Sequence, residues 1–81
     1  MEQEQVRELV LKIAQALVDY PEQVSVNEID SGNMVVLELT VSKGDIGKVI
    51  GKKGRTADAI RTLLGATSGK ARKRYMLEII Q

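Results

Sequence analysis

The chain has 81 residues, enough for one small hydrophobic core and too few for two. It has no cysteine and no histidine, which removes disulfide frameworks, Cys/His zinc sites, thiol nucleophiles and the usual general base. The net charge of +1 conceals a division, with two cations against eight carboxylates in residues 1–40 and ten against three in residues 41–81, an asymmetry that suits a polyanion partner for the second half.

The first element follows from Val6, Leu9, Val10, Ile13 and Leu17, which form one apolar stripe and predict an amphipathic helix over about residues 3–19, stopped by Pro21. The segment "QVSVNEID" reads as a strand in which the alternation at Val24 and Val26 slips by one at Ile29, so an irregularity is expected there. Ser31-Gly32-Asn33 is a turn, and "MVVLELTVS" then alternates Val35, Leu37, Leu39 and Val41 against Met34, Val36, Glu38 and Thr40, which predicts an antiparallel hairpin. Asp45 is placed to cap a short helix with Ile46, Val49 and Ile50 on one side. A further helix is expected from about Arg55 to Leu64, with Ala57, Ile60, Leu63 and Leu64 inward and Arg55, Asp58, Arg61 and Thr62 in water. Gly65 would cap it, "ATSGKARKR" would become a basic loop, and "RYMLEII" would be the last strand, with Tyr75, Leu77 and Ile79 on one face.

The expected order is therefore α-β-β-α-α-β, an α+β domain. A strand, a helical crossover and another strand form a right-handed parallel unit, so strands 34–42 and 74–80 should lie side by side in a mixed three-stranded sheet with the helices packed on one face. Met34, Val36, Met76 and Ile80 then fall on the uncovered face, either as a partner surface or as scattered apolar residues. The opening "MEQEQVRELV" is acidic and amphipathic, and no run approaches membrane-spanning length, so a cytoplasmic protein without membrane insertion is expected.

The four residues Gly51-Lys52-Lys53-Gly54 interrupt what otherwise looks like one helical pattern. Glycines there permit positive φ and close approach of another chain. The N–H groups of residues 54–56 open the next helix at its positive end, a place that suits phosphate. Lys52 and Lys53 add charge, and Val49, Ile50 and Ile60 offer a wall for unstacked bases. Gly-x-x-Gly alone is as well explained by a sharp turn tipped with solvated lysines. The longer pattern Ile46-Gly47-x-Val49-Ile50-Gly51-x-x-Gly54, set between two short helices, is far less accidental.

This segment resembles the signature of a K-homology (KH) domain, whose GxxG loop clamps single-stranded nucleic acid. The element order resembles the type II form, and the likeness covers essentially residues 1–81 as one domain, with an N-terminal helix and strand in 1–30 and the core with its GxxG loop in 31–81. A stand-alone domain beginning "LVLKIAQALVDYPEQVSV" and ending "GKARKRYMLEII" is similar to the small bacterial RNA-binding and RNA-chaperone family KhpA. That resemblance implies cytoplasmic RNA binding, a homodimer or a heteromer with a larger KH-containing protein, and links to cell shape and division. It maps the clamp to Gly51, Lys52, Lys53 and Gly54 and the groove to Ile46, Val49, Ile50 and Ile60. Lys48 and Arg55 are further candidate RNA contacts, Arg55 for its place beside the loop, while the basic run with Arg72 and Lys73 either extends the phosphate contact or is a solvated loop. KH domains commonly carry a large aliphatic residue three positions after the second glycine. Here Ala57 stands there, leaving either a shallower groove or a pocket filled by Leu63, Leu64 or a strand residue.

Other chemistries fail on spacing. A Walker loop needs Gly-x4-Gly-Lys-Ser/Thr, but Gly47 and Gly51 are separated by three residues and Lys53 follows Lys52. Gly47-x3-Gly51-x2-Gly54 is not a dinucleotide fingerprint. Ser42 beside Lys43 is a chance adjacency without a positioned base, so no enzymatic role and no cofactor or metal is expected. With Tyr20 and Tyr75 its only aromatic residues, the chain lacks the stacking platforms of RRM and OB modules. Two functions remain open: a single-stranded RNA-binding module of broad specificity, or a KH-fold dimerisation scaffold whose GKKG loop is idle.

Overall fold

The computed structural model describes the backbone of residues 2–71 and 73–81 and the side chains of residues 2–67 and 73–81. Helix α1 (Gln3–Leu17) is followed by a 3-10 turn at Pro21–Gln23, strands β1 (Ser25–Asp30) and β2 (Met34–Thr40), and a second 3-10 turn at Lys43–Asp45. Helix α2 (Ile46–Ile50), a turn at Lys52–Gly54, helix α3 (Arg55–Ala71) and strand β3 (Arg74–Ile79) complete the order α-β-β-α-α-β. The sheet order is β1-β2-β3, with β1 antiparallel and β3 parallel to the central β2. The expected α+β architecture with a mixed sheet is what the chain forms.

The core lies between the helices and one face of this sheet. Val35, Leu37 and Leu39 of β2 are fully buried, as are Val6, Val10 and Ala14 of α1 and Val49 of α2. Ile60 and Leu64 of α3 and Tyr75 and Leu77 of β3 close the same cluster. The buried face of α1 is thus Val6, Val10 and Ala14, flanked by partly buried Leu11 and Ile13. Leu17 is 40% exposed because the helix ends there, two residues short of expectation, and Val18 turns into extended backbone to pack on the core in its place.

Strand β1 has no irregularity. Its six residues pair one to one with Thr40 through Val35. The apparent slip arises because the inward residue after Val26 is Glu28, not an aliphatic one. Glu28 accepts from Gln3 Nε2 at 2.6 Å and pairs with Arg7 Nε at 3.3 Å, so a charge is tolerated under the start of α1. Ile29 consequently joins the open face, opposite Val36. The hairpin turn uses Gly32 at φ +94°, whose N–H donates to Asp30 Oδ1 at 2.9 Å.

Two expectations about α3 are corrected. It runs 17 residues, through Gly65, and does not stop there. Burial of Leu64 at the fourth turn position after Ile60 continues the inward stripe, which outweighs one glycine's penalty of about 1 kcal/mol. Leu63 is 49% exposed, since the stripe Ala57, Ile60 and Leu64 already defines the buried face. Among the described residues, no helix is long and apolar enough to cross a membrane.

A candidate nucleic-acid interface at the GKKG loop

Helix α2 has five residues, too few to be stable by itself, so its position depends on tertiary contacts. Buried Val49 fixes it to the core. Asp45 fixes its start, though not as the expected helix cap. The side chain, only 1% exposed, accepts from the backbone N–H groups of Asp19 at 3.2 Å and Tyr20 at 3.1 Å, from Ser42 Oγ at 3.0 Å and from Lys48 Nζ at 3.3 Å. Burial pushes the Asp45 carboxyl up, but these four donors outweigh it and hold its pKa below the ordinary value. The carboxylate therefore ties the chain leaving α1 to the helix that carries the GKKG loop.

The loop itself is a run of unusual backbone. Gly51 has φ +80°, Lys53 φ +57° and Gly54 φ +76°. An added Cβ at Gly51 would stand 2.6 Å from Thr56 Cβ and 2.8 Å from its nitrogen, whereas one at Gly54 would meet nothing within 4 Å. The Gly51 N–H donates to the Gly47 carbonyl at 2.8 Å and the Gly54 N–H to the Gly51 carbonyl at 3.1 Å. The Arg55 N–H closes on the Lys52 carbonyl. Of the three N–H groups expected to open α3, those of Gly54 and Arg55 thus complete the tight turn. Neither of these two N–H groups is left to hold an anion.

Lys52, Lys53 and Arg55 are exposed, and among the described residues none of them pairs with a carboxylate. Lys48 differs. It is tied to Asp19 at 3.1 Å and Asp45 at 3.3 Å, and hydrogen bonding to Asp19, then to Asp45, raises its pKa. Lys73 pairs with Asp30 at 2.9 Å and donates to Gln3 Oε1 at 2.9 Å. Because β3 runs from Arg74 to Ile79, a rise of about 3.3 Å per residue puts Lys73 roughly 16 Å or more from the GKKG end of the sheet. The Lys73–Arg74 segment is accordingly not beside the loop, and it is bend and strand, not a long basic loop. Arg72 lies outside the described residues.

The expected apolar wall is also redistributed. Val49 and Ile60 are 0% and 3% exposed and point into the core, so they present no open surface, and half-buried Ile46 packs partly against the core and does not line the neighbouring pocket. Ile50 does. With Gly54 and Ala57 it lines a pocket of about 340 Å³ whose far side is Leu77 and Ile79 of β3. Neither Leu63 nor Leu64 fills the space left by Ala57. The pocket's polar lining is Asp58 and Arg61, one helical turn apart with Arg61 Nη1 3.4 Å from Asp58 Oδ1, together with Glu78 and Gln81. The contribution of β3 follows from its parallel pairing with β2. Both strands end where α2 begins, so the C-terminal residues of β3 meet the N-terminal turns of α3.

A family model described as the KhpA/KhpB KH domain matches residues 7–79. The chain belongs to the KhpA/KhpB family of KH domains. It is 55% identical over 73 residues to a protein named RNA-binding protein KhpA from Caldanaerobacter subterraneus subsp. tengcongensis, a match spanning 90% of this chain and 97% of the relative. Proteins of the same name from Clostridium perfringens and Chlamydia trachomatis are 53% and 47% identical, over 91% and 93% of this chain and 99% and 96% of theirs. Among solved structures, Era in complex with MgGDPNP and nucleotides 1506–1542 of 16S ribosomal RNA shares the fold, with a TM-score of 0.57 at 22% identity. That match covers 93% of this chain but only 30% of the Era chain, so the KhpA/KhpB domain corresponds to one part of a larger protein.

Proposed function

We propose that this chain is a single-stranded RNA-binding protein of broad specificity that clamps the RNA backbone with its GKKG loop and works in the cytoplasm as an RNA chaperone. The observation that carries this reading is the juxtaposition of three carboxylate-free cations, Lys52, Lys53 and Arg55, with the apolar pocket of Ile50, Ala57, Leu77 and Ile79. Cations hold phosphates and the pocket takes a base, and the names of the relatives agree with RNA binding. Gly51 and Gly54 set the loop's path. Ile46, Val49 and Ile60 serve from beneath it by fixing α2 and α3, and Lys48 acts through the Asp19–Asp45 link.

A clamp on about four nucleotides neutralises three or four phosphates, which gives a log–log salt slope of about −2 to −3 on single strands. Anisotropy titration of a short unstructured RNA from roughly 50 to 200 mM salt should therefore lose on the order of 20- to 50-fold in affinity. A salt-independent affinity would refute the clamp. We read the role as binding without catalysis, because the Ser42 hydroxyl, the nucleophile closest to a lysine in sequence, is spent as a donor to Asp45.

A second reading, self-association, is favoured by the open face of the sheet. Ile29, Val36 and Met76 stand in one row across the three strands, with Ile29 45% and Met76 49% exposed. Arg74 lies to one side of that row and Glu38 and Glu78, paired in register, to the other. A two-fold axis along the row would set each Arg74 over the partner's carboxylates, so a second copy is complementary in charge. Two clamps on one dimer would add avidity on longer RNA. Sedimentation should show Met76→Asp as a folded monomer where the parent is a dimer, and a parent that stays monomeric at high concentration would end this reading.

A further inference from the structure

A surface prepared for RNA has no electrostatic reason to keep carboxylates at its base pocket, yet Asp58 lines that pocket from α3, with Glu78 of β3 also on its lining. The pairing of Asp58 with Arg61 does not explain it. The contact is 3.4 Å long, with side chains 74% and 49% exposed, a pair of little strength that opens readily. A favourable place near the α3 N-terminus explains an acid somewhere in the first turn, but not one on the pocket side.

We infer, on the basis of the RNA-binding reading above, that the pocket receives a guanine base, with Asp58 as the specificity-determining residue and Arg61 as its companion. Guanine alone among the four bases presents two adjacent donors, N1–H and N2–H₂, matched to the two oxygens of a carboxylate in a charge-assisted bidentate pair. Adenine and cytosine offer one amino N–H beside a ring-nitrogen acceptor, and uracil one N–H between two carbonyls, so the second carboxylate oxygen would meet a lone pair. Arg61, three residues along the same helix, supplies donors for the guanine O6. Ala57, with Ile50 and the β3 residues Leu77 and Ile79, forms the apolar part of the pocket against which the base would lie.

The test is fluorescence anisotropy at low salt with short unstructured oligouridines carrying one central guanosine, adenosine or cytidine, or none. The guanosine probe should bind about fivefold more tightly than the others, the lower end for a bidentate pair because this one is solvent-exposed. Asp58→Asn and Asp58→Ala should erase that preference while binding the remaining probes as well or better, since a negative charge has left the surface. Asp58→Glu, which keeps the carboxylate, should retain guanosine as the preferred probe. Circular dichroism checks that each variant is folded. Equal binding of all probes, or a guanosine preference that survives in Asp58→Ala, overturns the guanine assignment and leaves the clamp standing. Absence of binding to every probe overturns both.

Discussion

The two glycines of the GKKG loop are not equivalent. Both have positive φ, but only at Gly51 does Thr56 occupy the place of a side chain. Gly54→Ala should therefore lose about 1 kcal/mol for the left-handed backbone alone, and Gly51→Ala more than about 2 kcal/mol because Thr56 and the start of α3 must also move. Urea denaturation of the two variants measures the difference, and equal losses would contradict it. The glycine spacing disclosed the need for positive φ. The close approach of Thr56 was not legible, because it arises from how the turn folds back on α3. The same limit applies to Val49 and Ile60: their apolar character was plain, but whether they faced a groove or the core depended on how α2 and α3 rotate onto the sheet.

At the scale of elements, the short α2 depends on the Asp45 link. Asp45 has a lowered pKa in the folded protein, so its contribution is complete above the unfolded carboxylate value of about 3.9 and is lost as pH falls through the lower folded one. Asp30, lowered chiefly by its hydrogen bond from Lys73, acts in the same direction. Thermal melting should weaken below about pH 4, and Asp45→Asn should melt lower at neutral pH with a shallower acid decline. An unchanged acid profile in that variant would show the link to be unimportant. Lys48 has the opposite sign: its raised pKa gives stability below the usual lysine value that is lost as pH rises through the folded one.

Helix α3 provides a separate element-scale test. Gly65 sits inside it with nothing within 4 Å of an added Cβ, so Gly65→Ala should stabilise the domain by about 1 kcal/mol in a denaturant titration. Destabilisation would mean that the helix ends there. The start of α3 and the burial of Leu64 were readable from the apolar spacing, but the end was not, since a glycine at 65 reads as a cap as well as it reads as a helix-interior residue.

For the whole molecule, strand alternation and the right-handed crossover were enough to give sheet order, strand direction and the face covered by helices. Charge counting divided acidic from basic sequence, but did not show where the basic residues lie in space. Among the described residues of 41–81, Lys52, Lys53 and Arg55 at the GKKG loop pair with no carboxylate, nor do Lys43 and Arg74 away from it, whereas Lys48, Arg61 and Lys73 are paired. Net charge alone would let any of them serve RNA, whereas the proposed clamp uses only the cations at the loop. The most direct test is anisotropy binding of an unstructured RNA across a salt series by Lys52→Asp/Lys53→Asp, with Lys12→Glu on α1 as a control for charge placed elsewhere. The double variant should stay folded, bind far more weakly and lose about 2 from the magnitude of the salt slope, while the control binds nearly as the parent does. A folded double variant that binds as tightly as the parent would contradict the clamp.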